Sequence, residues 1–159
     1  MSLAATAVAR TPDADHKVRI EMVRRLLVEQ AWRCFLISAQ SNIRYLTGFT
    51  GSSGFLLLMP DKLVLLTDGR YSTQARQQTA SLDLEIVISE GTPLPRLAEE
   101  IRKMRIKNLV FEQNRASFET YQALAGVISP RGVRPVAGAV ERLRSVKSAF
   151  EIDLIRRAA

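Results

Sequence analysis

The chain has 159 residues, 47% of them hydrophobic and 25% charged, a length that suits one domain burying roughly two thirds of its unfolded surface. No apolar run approaches the ~20 residues of a membrane-spanning helix. The net charge of +7 is carried by Arg and Lys mixed with Glu99, Glu100, Glu112, Glu141 and Glu151, and with aromatic residues so few there is no aromatic–basic interleaving to stack bases; nucleic acid is not an expected partner.

In chain order, residues 1–16 are expected to form a flexible N-terminal segment, without the basic start and long apolar stretch of a secretory signal. Val18, Met22, Val23, Leu26, Leu27 and Ala31 predict one face of an amphipathic helix over 17–31, capped by Asp13 or Asp15. His16, the sole histidine, is placed before that helix and has no patterned partner, so neither a metal site nor a Ser–His triad is expected. Cys34 to Ile37 reads as a short buried strand. Its cysteine is a structural thiol, since a nucleophile needs a base and a polar pocket. With one cysteine the chain forms no internal disulfide, which fits a reducing, cytoplasmic compartment.

Ser41 and Asn42 open a helical turn that Gly48 stops. The run Gly48-Phe49-Thr50-Gly51-Ser52-Ser53-Gly54 is glycine-rich but lacks the Lys-Ser/Thr of a phosphate loop; it reads as a tight crossing into a strand over 54–59. Pro60-Asp61 turns the chain into an antiparallel partner over 62–67. Asp68 caps a helix over 70–78, and the alternation of Leu82, Leu84, Ile86 and Ile88 predicts a strand. Thr92 caps a helix with Pro93 in its first turn and an inner face of Leu94, Leu97, Ile101 and Met104. A strand over 108–111 follows, then a helix capped by Ser117. A short strand over 133–136 carries Pro135, which places it at an edge or strand end. The alternation predicts an α/β fold: a three-layer α/β/α sandwich around a mixed sheet of five or six strands.

Two polar clusters follow strands, where α/β sheets place their sites: Asn42, Arg44 and Tyr45, and Asp68, Arg70 and Tyr71. Each has a plain structural reading as well. Asp68 suits a helix cap, Arg70 a surface ion pair, and Tyr71 a core ring with a wet hydroxyl.

The stretch Ser41-Asn42-Ile43-Arg44-Tyr45-Leu46-Thr47-Gly48-Phe49-Thr50-Gly51-Ser52-Ser53-Gly54, followed by Leu66-Thr67-Asp68-Gly69-Arg70-Tyr71-Ser72, resembles the N-terminal domain of the creatinase/prolidase/aminopeptidase P family, most of all its Xaa-Pro aminopeptidase branch. The segment Leu143 to Ile152 is similar to the joint between that domain and the catalytic one. The resemblance implies a ribonuclease H-like fold over 17–140 and a linker with the start of a helix over 141–159. That helix is opened by the capping box Ser148–Glu151 and meets no stop signal, so a partner domain is expected beyond it.

By the same resemblance, catalysis belongs to that following domain. Two divalent metals, often manganese, are held there by two Asp, one His and two Glu, and activate the water that cleaves the amide before a proline. None of those ligands maps onto this chain. The resemblance further implies a homodimer or homotetramer built partly through this domain, and proline-containing peptides as substrates. The residues expected to border the substrate entrance are Asn42, Arg44, Tyr45, Asp68, Arg70 and Tyr71. Thr50-Gly51-Ser52-Ser53 stands where the creatine-cleaving branch carries an Arg, which argues against that branch. The alternatives are a prolidase and a catalytically inactive relative that binds proteins.

Overall fold

The computed structural model describes residues 12–158. The segment expected to be flexible lies outside these residues as far as Thr11. From Pro12 to His16 the chain is already helical, so the first helix, α1, runs over Pro12–Glu29 and contains Asp13, Asp15 and His16 instead of being preceded by them.

Eleven further elements build the sheet and its two covers: β1 (Phe35–Ile37), α2 (Gln40–Thr47), β2 (Phe55–Leu58), β3 (Leu63–Asp68), α3 (Ser72–Gln78), β4 (Glu85–Ser89), α4 (Pro93–Lys103), β5 (Leu109–Glu112), α5 (Phe118–Val127), β6 (Val133–Val136) and α6 (Ala139–Ser145). Helix α7 (Ala149–Ala158) closes the described chain. The sheet has six strands in the order β4-β3-β2-β1-β5-β6. β2 runs antiparallel to both neighbours, and the remaining pairs are parallel. Five strands therefore point one way, and their carboxyl ends share one edge. β6, with Pro135, is the outer strand, as its missing N–H requires.

Strand alternation sorts the core into two layers. Phe35, Ile37, Leu56, Leu58, Leu63, Leu65 and Val110 pack under α1, α2, α3 and α6. Leu36, Leu57, Val64, Leu66, Val87, Leu109 and Phe111 pack under α4 and α5, with Cys34. The result is the expected three-layer sandwich. Burial pushes the Cys34 thiol up to about 12, so it stays protonated and unreactive at neutral pH.

Several local expectations are corrected. α1 turns Ile20, Val23 and Leu27 inward, while Val18 and Met22 are exposed. The cause is polar: Asp15 and Arg19 are buried on the inner side, where they find partners. Asp68 caps a single 3-10 turn over Gly69–Tyr71 before α3 begins at Ser72. Thr92 makes no side-chain cap; instead the Ser89 hydroxyl donates to the Thr92 carbonyl at 3.0 Å. β4 starts at Glu85, because Leu82 and Leu84 still belong to the turns leaving α3. α6 was unforeseen; it tucks Ala139 and Val140 against the core.

Candidate functional site

α2 ends where Gly48 adopts the left-handed conformation (φ 78°) and its N–H closes onto the Arg44 carbonyl at 2.8 Å. Its other end has Ala39 at the cap, with no side chain able to serve. Glu112, at the end of β5, supplies the missing acceptor. One carboxylate oxygen takes the N–H groups of Ser38 and Ala39, each at 2.7 Å, and the other takes Asn42 Nδ2 at 2.5 Å. A carboxylate at a helix N-terminus is also favoured by the helix dipole.

Asn42 is thus fully buried. It also donates to Glu141 at 2.9 Å and accepts from Arg144 at 2.9 Å, tying α2 to β5 and α6. The structure places its side chain inside the scaffold, between α2, β5 and α6. The one signal for Glu112 as a hub was an acidic residue closing an apolar strand.

Asp68, Arg70 and Tyr71 do come together, at the carboxyl edge of the sheet. Arg70 grips Asp68 with two parallel bonds of 2.9 Å, and its backbone N–H adds a third at 3.1 Å. The Asp68 side chain is buried while that of Arg70 is 74% exposed, so the guanidinium is fixed on one side and open on the other. The side-chain bond from Arg70, with its backbone bond and charge, holds the Asp68 carboxyl below the usual carboxylate range. The Arg70 guanidinium lies 5.4 Å from the Tyr71 ring centre.

Tyr71 meets the Ser52 hydroxyl at 2.7 Å and packs edge-on against Phe49. The bond to Ser52 lowers the pKa of its phenol. The loop between α2 and β2 is further pinned by Gln78, which accepts from the Thr50 N–H at 2.9 Å, and by Thr67, which donates to the Ser53 carbonyl at 2.7 Å. Gly54 has no room for a side chain, since a Cβ there would sit 2.9 Å from the Leu66 carbonyl. A cleft of about 400 Å³ opens beside this cluster between Ser53, Asp68, Arg70 and the 89–92 turn. A second, of about 340 Å³, adjoins it through Ser53 and Thr92 and extends to Ser38, Gln40 and Arg115.

Arg44 and Tyr45 belong elsewhere. With His16, Arg19, Glu151 and others they line a separate cleft of about 460 Å³ between α1, α2 and α7. Arg19 stacks on the Tyr45 ring at 4.1 Å and donates to its carbonyl at 2.9 Å. His16 Nδ1 lies 3.1 Å from the same carbonyl. Burial raises the Tyr45 pKa. Sequence reasoning missed Asp15 and Arg19 here; their i, i+4 spacing was the available signal.

Among the described residues, no group of three or more His, Cys, Asp or Glu converges to hold a metal. The buried carboxylates are each engaged by protein donors: Asp68 by Arg70, Glu112 by the α2 terminus, Glu100 by Arg96 and Lys103, Asp15 by Arg19 and Ser148. They do not fit a two-metal centre. What this edge offers is a hydroxyl-rich rim with an arginine held on one side by Asp68.

A mixed six-stranded sheet with helices on both faces and a polar rim at its carboxyl edge defines an α/β sandwich domain. The profile of the Creatinase/Prolidase N-terminal domain matches residues 19–146, and the chain belongs to that family. It is 37% identical over 142 residues to the uncharacterized peptidase YqhT of Bacillus subtilis (strain 168), covering 89% of this chain and 40% of that protein. An Xaa-Pro dipeptidase from Bacillus anthracis superposes with a TM-score of 0.77 at 30% identity, over 87% of this chain and 38% of that one. An Xaa-Pro aminopeptidase structure from Streptococcus pyogenes superposes with a TM-score of 0.71 at 32% identity, over 82% of this chain and 98% of that one. The chain thus spans about two fifths of the length of the two Bacillus relatives. No helix among the described residues is long and apolar enough to cross a membrane.

Proposed function

We propose that this chain is the non-catalytic N-terminal domain of a two-metal Xaa-Pro aminopeptidase, supplying contacts between subunits and one wall of the substrate entrance. The observation that carries this reading is the family match over 19–146 in a chain that spans only two fifths of its Bacillus peptidase relatives. The metals, manganese in this reading, and the residues that hold them belong to the part of the full-length protein that follows. The wall is the rim of Ser52, Asp68, Arg70 and Tyr71. Its rigidity supports this role, because a pre-ordered surface loses little entropy when it meets a peptide. The assembly is a homodimer or homotetramer acting on proline-containing peptides in the cytoplasm; the lone, buried Cys34 suits a reducing compartment. The likeness to the Bacillus anthracis enzyme supports a second reading, in which the full-length protein is a dipeptidase.

The test is hydrolysis of Xaa-Pro peptides with Mn²⁺. The full-length protein is expected to cleave them, with tripeptides preferred over dipeptides, and the 159-residue chain is expected to show no turnover. Arg70→Ala in the full-length protein should lower kcat/KM at least tenfold while the melting temperature moves by no more than a few degrees, since its side chain is largely exposed. Turnover by the isolated chain contradicts the reading. Parallel loss of stability and activity in Arg70→Ala would reduce Arg70 to a structural role.

A further inference from the structure

β1 and β5 are parallel neighbours whose chains leave the sheet on opposite sides. β1 leads into α2, with Ile43 and Leu46 in one core layer, and β5 leads into α5, with Leu124 in the other. Open α/β sheets bind ligands in the crevice that such a divergence leaves beyond the strand ends. The cleft of about 340 Å³ lies at this point, and its volume falls at the low end of small-molecule sites, ~300–1,000 Å³. Ser38 and Gln40 reach it from the chain after β1, and Arg115, Ser117, Glu119 and Thr120 from the chain after β5. Its apolar lining is Phe55, Pro93 and Leu94.

Two charges of opposite sign line this cleft. Arg115 and Glu119 are both exposed, and neither has an ionic partner among the described residues. Gln40 is held by one end of its amide only. Its Nε2 donates to the Gly54 carbonyl at 3.0 Å, while its Oε1 is buried and meets no donor among the described residues. A buried acceptor left unmet is a cost until a donor reaches it. We propose that this cleft binds a zwitterion with an apolar side chain, a free amino acid or a short peptide. Arg115 takes the carboxylate and Glu119 the ammonium. As the Gln40 amide turns toward the cleft, the ammonium supplies the donor that Oε1 lacks. The ligand's side chain packs against Phe55, Pro93 and Leu94. The site adjoins the Arg70 rim but has its own pair of charges, and it does not depend on the wall reading.

Amide chemical shifts of the 159-residue chain, followed by NMR through titrations with L-leucine and with glycyl-L-leucine, test it. Saturable shifts at Ser38, Gln40, Ser117 and Thr120 are expected with at least one of the two. The ligand that saturates at the lower concentration identifies a free amino acid or a peptide as the source. No saturable shift with either overturns the proposal. Shifts confined to residues 68–71 and 89–91 assign the ligand to the Arg70 rim and also overturn it. The same ligand with its ammonium acetylated, or with its carboxylate amidated, should bind at least tenfold more weakly; equal binding overturns recognition of a zwitterion. Arg115→Gln should weaken the zwitterion at least tenfold and leave the amidated form unaffected, and Glu119→Gln should do the same with respect to the acetylated form. Loss of all ligands alike in both variants would mean a structural role and overturns the assignment. Both side chains are exposed, so the melting temperature of each variant is expected to match the parent. Xaa-Pro hydrolysis by the full-length protein separates this site from the function proposed above. Binding without hydrolysis upholds the site and defeats the peptidase reading, and hydrolysis without binding does the reverse.

Discussion

Arg70 and Asp68 form an ion pair with one buried member and one exposed. The carboxylate is buried at the end of β3, where the side-chain bond from the arginine is the main cause of its lowered pKa, whereas the arginine shows most of its surface to solvent. A depressed carboxyl pKa adds stability that is present above the unfolded value of about 3.9 and is lost as pH falls below it. Thermal melts from pH 6 to pH 2.5 should therefore show a shallower acid decline in Asp68→Asn than in the parent. Identical profiles would mean the pair does not stabilise the fold. That Asp68 caps a turn and Arg70 faces outward was legible in the sequence. Asn42 was not, because its three partners lie 70, 99 and 102 positions away, and no local pattern reports such distances.

At the scale of elements, periodicity located every strand and most helices, and it failed where partners were distant. The apolar runs of β1, β2, β3 and β5 are set by burial on both faces, a signal the chain carries locally. On α1 the expected Val23, Leu26 and Leu27 do reach the core, while Val18 and Met22 are exposed and Asp15 and Arg19 are buried by groups on α2 and α7, a pairing invisible from α1 alone. α6 went unseen because it is short, with only Ala139 and Val140 fully inside. The crossing from α2 into β2 was read as a backbone constraint, and the structure gives each glycine its own reason. Gly48 needs a positive φ, and Gly54 passes against the Leu66 carbonyl. Gly54→Ala should cost about 1–3 kcal/mol through overpacking, measured by urea denaturation. Gly91→Ala, where a Cβ meets nothing within 4 Å, should stay within about 0.5 kcal/mol of the parent. Equal effects at the two sites would mean the close approach of β2 and β3 carries no energetic weight.

At the scale of the molecule, the chain is a two-faced sandwich whose four buried carboxylates among the described residues, Asp15, Asp68, Glu100 and Glu112, are each engaged by protein donors. The sequence motifs announced the family. The rim's geometry, and the way Arg19 reaches from α1 to the root of α7, became visible only when the helices were set against one another. On the function proposed above, this domain shapes access to chemistry housed elsewhere in the full-length protein. Metal content after equilibration with Mn²⁺ and desalting tests that claim most directly. Two ions per full-length chain and none on the 159-residue chain are expected. Tight, stoichiometric Mn²⁺ on the 159-residue chain, or none on the full-length protein, would contradict it.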